Sequence, residues 1–585
     1  MAALSWYRWP EAIVDYGREL YVPWRIDAGE MLYRDIPHLY GPLAQYGNAL
    51  LFTLFGTGLR TLVTFNLLLI AALSVGIYVM FRRVYDRLTA TLCGMVFLGV
   101  FAFGRNTGQG NWNFVCPYSH EVTYGVFLSF ALLVPLAAFH TPGERRWAGG
   151  AGFLLGLIFL TKVEVFVAAA AAAVVVVGVP VVWTRSLRPT ARGRLLLAAV
   201  CFMVPLLGFA ALFACRTTVA DAAGMLATTV TSLGRGAIVR HPFYLNHAGL
   251  DEPLANTGIL LAAAAIYGVI LLGVLVLGRF VARRGGLARN RLLVAGCTVV
   301  LCVTAYLLRD RTELWSRVGR PIPLFVAAHS LWLLRRRGEA AADDGGPRSL
   351  LPLALSTFGL FLLLKIILRV QFRFYGFALA LPATLVTVAG AVHHWPRYVQ
   401  RRGGSAGTAR VVMTALVLVS LVVHAGMSWD FYRRMTYPVG TGADRFYTYG
   451  PEVSEIGPVM SEALRAIEDT MPRAAGFVVL PEGVMLNYLS RRRNPARWFE
   501  FTPQYLASVG EERMRDDLEA ARPDYVVLAE RPTPEHGFLY FGNDYGLKLR
   551  DWITQHYTPV FLAGSKVFSN QGFGIAIGAR NAEPR

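Results

Sequence analysis

Asp15 opens the most chemically loaded stretch of the chain. Tyr16-Gly17-Arg18-Glu19 follow it, then Ala28-Gly29-Glu30-Met31-Leu32-Tyr33-Arg34-Asp35-Ile36, then Tyr40-Gly41-Pro42. Acids, aromatic rings and turn formers are interleaved throughout. A carboxylate in such surroundings can accept the proton that a hydroxyl or amine nucleophile loses during attack. A solvated loop acid is the plain alternative for Asp15.

A second group, Asn111-Trp112-Asn113-Phe114-Val115-Cys116-Pro117-Tyr118-Ser119-His120-Glu121, runs into an apolar segment. Glu121 at a helix start, with Ser119 as a cap, gains only a few tenths to about 1 kcal/mol from the helix dipole, so its position has a structural explanation as well as a chemical one. His120 can titrate or hold a metal, and equally serves as a hydrogen-bond partner. Thr161-Lys162-Val163-Glu164 places opposite charges inside an otherwise apolar run. Ionisable groups at that depth are costly enough to suggest function. Lys162 suits a phosphate, and a local ion pair with Glu164 at a hairpin turn is the competing reading.

Further cations expected outside the membrane are Arg235, Arg309, Arg311, Arg317, Arg369 and Arg373. Arg369 and Arg373, with Lys365, stand among apolar residues before Phe374-Tyr375-Gly376-Phe377. They suit an anionic group or simply snorkel at an interface. The loop 235–251 can cover a site. The turn Pro481-Glu482-Gly483, with Asn487 and Arg491 to Arg493 close behind, is either an acceptor contact or a solvated basic loop.

The elements that must carry these residues are membrane helices. Of 585 residues only 16% are charged, against roughly 25% in a soluble domain, and mean hydropathy is +0.43. Apolar runs at 61–81, 88–103, 122–139, 195–213, 258–277, 292–308, 322–334, 350–368, 374–392 and 411–427 each suit a helix crossing the bilayer. The run 149–183 is too long for one upright helix and is interrupted at Thr161 to Glu164, which predicts two spans meeting near Lys162. Arginine clusters at 82–87, 145–146, 185–194, 279–289, 335–337 and 397–402 then all fall on the cytoplasmic side.

About twelve crossings put both hydrophilic ends outside, the segment 1–48 included. Because that segment carries no export signal, a thirteenth, leading helix is expected to be missing from this sequence. After Trp429 the composition turns polar, and short β-like runs at 476–480 and 524–528 flank a helical stretch at 511–522, predicting a small α/β domain. The expected division is a first outer loop at 1–57, a transmembrane bundle at 58–428 and an extracytoplasmic α/β domain at 429–585. The stretch 338–348 reads as a cytoplasmic linker.

The formal charge of +19 comes largely from short inter-helix loops, so nucleic acid is not an expected partner. The six cysteines are scattered and give neither a disulfide framework nor a zinc spacing. Walker-type phosphate loops, a His-Glu-x-x-His motif and an Asp-x-Asp element in a cytoplasmic domain are all lacking. A lipid-linked rather than a nucleotide-linked donor fits that pattern.

The segment from Asp15 to Pro42 resembles the first outer loop of the GT-C superfamily, the polyprenyl-phosphate-sugar-dependent glycosyltransferases related to protein mannosyltransferases and aminoarabinose transferases. There an acid follows the first membrane helix, and a Gly-x-x-x-Tyr-x-Asp element leads to a proline-containing helix start; Asp15, Gly29 to Asp35 and Pro42 match. Gly156-Leu157-Ile158-Phe159-Leu160-Thr161-Lys162 is similar to a lysine-bearing run of the same enzymes, and Glu121 corresponds by position to their second acid.

The resemblance implies a GT-C-like bundle in a bacterial cytoplasmic membrane, with Asp15 as general base and Glu121 as the second catalytic acid. It also implies Lys162, Arg369 and Arg373 at the donor phosphate, and Tyr33, Asp35 and His120 in the substrate loop. A polyprenyl-phosphate sugar is the implied donor and an envelope lipid, glycan or protein the acceptor, with membrane lipid as a further partner. No cofactor is required outright, and a divalent metal stays open. A multi-pass transporter or flippase is the alternative, because intramembrane cations also suit translocation; a scaffold for a periplasmic partner is a third.

Overall fold

The computed structural model describes residues 1–582 apart from 142, 184–187, 232–240, 284–294, 297, 302, 305, 309 and 341–349. Among them six helices are long and apolar enough to cross a membrane, and four shorter apolar helices accompany them. In hydrocarbon only a helix satisfies its own backbone, so these runs have no other regular option. The chain is a polytopic helical membrane protein. Arg235, Arg309, part of the cluster 279–289, part of the run 292–308 and most of the linker 338–348 lie outside the described residues.

The apolar run 149–183 divides where its charges fall. One helix, Arg146–Phe159, ends before Leu160, and the next, Val163–Trp183, begins after Lys162. The break is held from outside: Gly41 N–H donates to Thr161 O at 2.7 Å and Leu43 N–H to Leu160 O at 3.0 Å. Gly41 is required there, because a Cβ on it would stand 2.2 Å from the Leu160 carbonyl carbon and oxygen. Leucines and valines such as Leu196, Leu207 and Val269 leave most of their surface free on the outer faces of Arg188–Ala214 and Pro253–Arg283, as lipid contact demands.

Segment 1–57 has regular structure of its own. It holds the helices Tyr16–Asp27 and Leu43–Phe55, and Trp9, Ala12, Ile13, Leu20 and Val22 are buried. These apolar residues, thinly spread among polar ones, find their partners far along the chain. Gly17 packs so closely on the C-terminal region that a Cβ would lie 2.5 Å from Met485 N. Tyr21 OH accepts from Asn494 N–H at 2.9 Å.

After the last long helix, Ala406–Arg433, the chain forms an antiparallel pair, β1 (Met435–Val439) and β2 (Phe446–Tyr449), and then a four-stranded sheet. Its strands are β3 (Phe477–Leu480), β4 (Tyr525–Ala529), β5 (Tyr557–Gly564) and β6 (Gly574–Arg580), in the order β3-β4-β6-β5. β3 and β4 are parallel, with Leu480 opposite Leu528, and the other pairs are antiparallel. β3 has all four of its residues buried, the continuous apolar pattern of a strand covered on both faces.

Candidate active site

A partly open cavity of about 80 Å³ lies where the N-terminal segment, the membrane helices and the C-terminal region meet. Asp15 and Arg18 line it beside Tyr40, Trp112, Tyr118 and Tyr375. Phe243 and Tyr244, from the short helix Pro242–Ala248, and Glu500, Gln504 and Tyr505, from the C-terminal region, close the remaining wall.

Asp15 occupies an uncommon backbone conformation, with φ 63° and ψ −61°. Tyr16 N–H donates to Val14 O at 2.7 Å across it, so Asp15 is the centre of a γ-turn of the rare, strained kind. Such a conformation costs on the order of 1–3 kcal/mol in a residue other than glycine. The carboxyl is pushed up to about 7, chiefly by burial and next by the like charge of Glu482, with Arg18 and Arg531 opposing. Glu500 is pushed up to about 8 by the same two causes in the same order. Burial and neighbouring like charge thus raise both carboxyls on this cavity above the ordinary carboxylate range.

Arg18 ties three elements together. Its Nη1 lies 3.6 Å from Glu500 Oε2, its Nη2 donates to Tyr118 O at 2.9 Å, and its Nε approaches Glu19 Oε1 at 3.4 Å.

Behind this wall is a fully enclosed polar network. Glu121 Oε2 accepts from Ser119 Oγ at 2.6 Å and its Oε1 from Gln45 Nε2 at 2.8 Å, with His38 Nε2 at 3.2 Å. Ser119 thus spends its hydroxyl on the Glu121 carboxylate rather than capping the helix His120–Ala137. Glu121 and His120 have no exposed surface, and neither lines the cavity. His120 is held by Glu19 on one side and by Asn66 Nδ2, 3.1 Å from its Nε2, on the other. Among the described residues no three His, Cys, Asp or Glu side chains are grouped as a metal site.

Lys162 is buried beneath the cavity floor. Its Nζ donates to Tyr118 OH at 3.0 Å and lies 4.1 Å from the Tyr40 ring centroid. The local contact with Glu164 is present at 3.8 Å, but Lys365 takes the same oxygen at 2.7 Å while sitting over the Tyr375 ring at 4.3 Å. Two lysines therefore stand behind three of the cavity's tyrosines.

The other residues singled out in the sequence lie around this centre. Arg369 is 3.6 Å from Asp251 and Arg373 is 2.7 Å from Glu313, each at the edge of the aromatic wall rather than in its lining. Tyr33 OH donates to Tyr40 O at 2.5 Å, setting the loop that presents Tyr40. Asp35 pairs with Arg34 at 2.7 Å and accepts from Met31 N–H at 2.8 Å, closing its own turn. Glu500, Arg18 and Glu19 were not selected by sequence pattern. The acid between aromatics in Trp498-Phe499-Glu500-Phe501 is the signal that marks Glu500.

Residues 37–209 match the sequence family described as dolichyl-phosphate-mannose-protein mannosyltransferase. The resemblance to the GT-C glycosyltransferases holds over this segment. It includes Gly41-Pro42, His120-Glu121 and Thr161-Lys162, and begins after Asp15. Among solved structures the chain is similar to ArnT from Cupriavidus metallidurans bound to undecaprenyl phosphate, at 12% identity and a TM-score of 0.49, over 98% of this chain and 96% of that one. It is also similar to the Archaeoglobus fulgidus oligosaccharyltransferase tethered to an acceptor peptide, at 12% identity and 0.45, over 98% and 70% respectively. Both are remote likenesses. No curated protein sequence matches the chain.

Proposed function

We propose that the chain is a GT-C-type glycosyltransferase that moves a sugar from a polyprenyl-phosphate donor to an envelope acceptor at the outer face of a bacterial cytoplasmic membrane. The observation that carries this reading is Asp15 on an aromatic-walled cavity, with its carboxyl poised near neutrality. A base is most useful when its affinity for a proton matches the working pH. The cavity also has the right place in the bundle. It abuts the starts of His120–Ala137 and Val163–Trp183, whereas Arg194, bound to Phe139 O at 2.7 Å, lies past the far end of His120–Ala137, and the Asp86 to His393 pair at 2.9 Å lies past the far end of Leu59–Val84, the helix whose Asn66 meets His120. The positive-inside tendency makes the cavity end the outer one, and the C-terminal region shares that side.

In the proposed reaction the acceptor oxygen or nitrogen forms a bond to the anomeric carbon while the bond from that carbon to the phosphate oxygen breaks. The polyprenyl phosphate leaves with the electron pair, Asp15 takes the acceptor proton, and the anomeric centre inverts. Lys162 and, at the rim, Arg369 and Arg373 offer positive charge to the departing phosphate. Tyrosine and tryptophan faces suit the C–H faces of a sugar ring. Glu121 acts on the site through the loop it holds by Gln45 and His38, and His120, Tyr33 and Asp35 support the same substrate-loop region.

The test is turnover by the purified full chain, offered a panel of polyprenyl-phosphate sugars with envelope acceptors, with released polyprenyl phosphate as the signal. Wild type is expected to consume at least one donor and Asp15→Asn to be slower by at least about a hundredfold, a typical effect of losing a general base. Consumption of no donor by wild type, under conditions where an established member of the superfamily turns over, removes the proposal.

A further inference from the structure

The residue that presents Asp15 to the cavity comes from the other end of the chain. Asp15 N–H donates to Glu482 Oε1 at 2.8 Å. The second oxygen of that carboxylate accepts from Arg531 Nε at 3.2 Å, and Arg531 Nη2 in turn donates to Glu535 Oε1 at 2.6 Å. Sheet geometry puts these groups together: Leu480 lies opposite Leu528 in the parallel pair of β3 and β4, so the residues that leave the two strands at their C-terminal ends, Glu482 and Arg531, emerge side by side. Both oxygens of a largely buried carboxylate are thus committed, one to the γ-turn at Asp15 and one to the guanidinium that fixes it.

We propose that Glu482 is the positioning residue for Asp15: by accepting the Asp15 main-chain N–H it clamps the γ-turn that aims the carboxyl into the cavity, and Arg531 orients Glu482 for that task. The C-terminal α/β region is then a working part of the transferase site. This rests on Asp15 being the base, but its geometry does not depend on the donor. A strained backbone persists only where its surroundings over-determine it. Here the anchors are the hydrogen bond to Glu482 and the seating of Gly17 against Met485. Glu482 also adds a like charge close to Asp15, alongside the opposing charges of Arg18 and Arg531 and the more distant Glu19. Glu500, on the same cavity, feels both Glu482 and Asp15.

The experiment reads Asp15 without any substrate. The full chain in lipid nanodiscs is treated with N,N′-dicyclohexylcarbodiimide, which attacks protonated carboxyls, and modification of the Asp15 and Glu500 peptides is followed by mass spectrometry across pH 5 to 9. In wild type the Asp15 labelling midpoint is expected at about 7. Glu482→Gln keeps a carbonyl for the Asp15 N–H but removes the charge, and is expected to move the midpoint down by about one pH unit, a shift typical of one lost neighbouring charge. Glu482→Ala removes clamp and charge together and is expected to lose at least tenfold in kcat with donor KM within about threefold, with Glu482→Gln recovering most of that kcat. Should Glu482→Ala not fold, Arg531→Lys, which leaves Glu482 paired but less well oriented, is expected to lie between wild type and Glu482→Gln in kcat. A folded Glu482→Ala whose Asp15 labelling rate and midpoint match those of Glu482→Gln overturns the inference, because the two variants differ in the acceptor for the Asp15 N–H and not in charge. A difference in Asp15 labelling between Glu482→Ala and Glu482→Gln, in a protein whose wild type consumes no donor, leaves the clamp standing and removes the functional reading instead.

Discussion

Glu19 Oε2 lies 2.6 Å from Nδ1 of His120 and accepts that residue's main-chain N–H at 3.0 Å. One acid of the N-terminal helix thus caps the first turn of a membrane helix and fixes its histidine ring, and both side chains are wholly buried. The contact ties the helix that follows Asp15 to the membrane bundle.

Replacing Glu19 by alanine leaves a buried N–H and a buried imidazole without their acceptor. The expected destabilisation is about 3 kcal/mol, the scale for removing one partner of a buried polar pair. Thermal unfolding in detergent should show a clear drop for Glu19→Ala and a smaller one for Glu19→Gln, which keeps one acceptor oxygen. Equal melting of all three proteins is incompatible with the contact.

The rate of donor consumption should rise with pH through a midpoint of about 7, because Asp15 must be ionised to take a proton and its carboxyl is held that high. The stability effect has the opposite sign. The folded-state value lies above the ordinary carboxyl range near 4, so the stabilising contribution is complete below about pH 4 and is lost as pH rises through 7. At pH 8, Asp15→Asn is therefore expected to melt at or above wild type, by on the order of 1 °C, while inactive. A melting point several degrees lower contradicts the assignment.

Gly41→Ala should not be tolerated. Its Cβ meets main-chain atoms of Leu160 at 2.2 Å, and overpacking of this kind costs about 1–3 kcal/mol. Gly47→Ala is the control: the same helix region offers it open space, and alanine is favoured over glycine there by up to about 1 kcal/mol. Expression level and unfolding temperature of the two variants are expected to diverge in opposite directions from wild type.

Lys162→Met preserves volume and removes charge. If Lys162 serves the donor phosphate, donor KM rises at least tenfold, whereas Arg373→Ala raises it only about two- to threefold, because Arg373 is already committed to Glu313. Steady-state kinetics on the two variants decide between them, and equal KM values for wild type and Lys162→Met exclude that role.

What was legible in the sequence follows from how local each signal is. The interruption near Lys162 could be read because charge inside an apolar run is conspicuous by itself, and the strands at β3 and β4 because short apolar runs flanked by turns have few alternatives. The acid and aromatic content around Asp15 announced a site without its geometry. Three things stayed hidden. The helices in 1–57 were masked because their apolar residues are sparse until the partners Met485 and Asn494 are known. The enclosure of Glu121 depends on Gln45 and His38, which no spacing connects. Glu482 meets Asp15, and Glu500 meets Arg18 on the cavity, across most of the chain, and a lone sequence that marks Glu500 by its aromatic neighbours says nothing of these pairings. Arg369 and Arg373 were conspicuous as cations, but their neighbours Asp251 and Glu313 lie in other loops.

The hydrogen bond between Asp15 and Glu482 spans 467 positions, and that distance has a consequence for biogenesis. A ribosome delivers the N-terminal acid first and its anchor only after every membrane helix has been inserted. Until β3 and β4 pair, the turn around Asp15 lacks the carboxylate that accepts its N–H, and a polypeptide stalled or clipped before β3 carries an incomplete cavity wall. On the proposed function, competence is thereby withheld from immature chains, a safeguard against unscheduled chemistry on the lipid pool of the membrane into which they are being threaded.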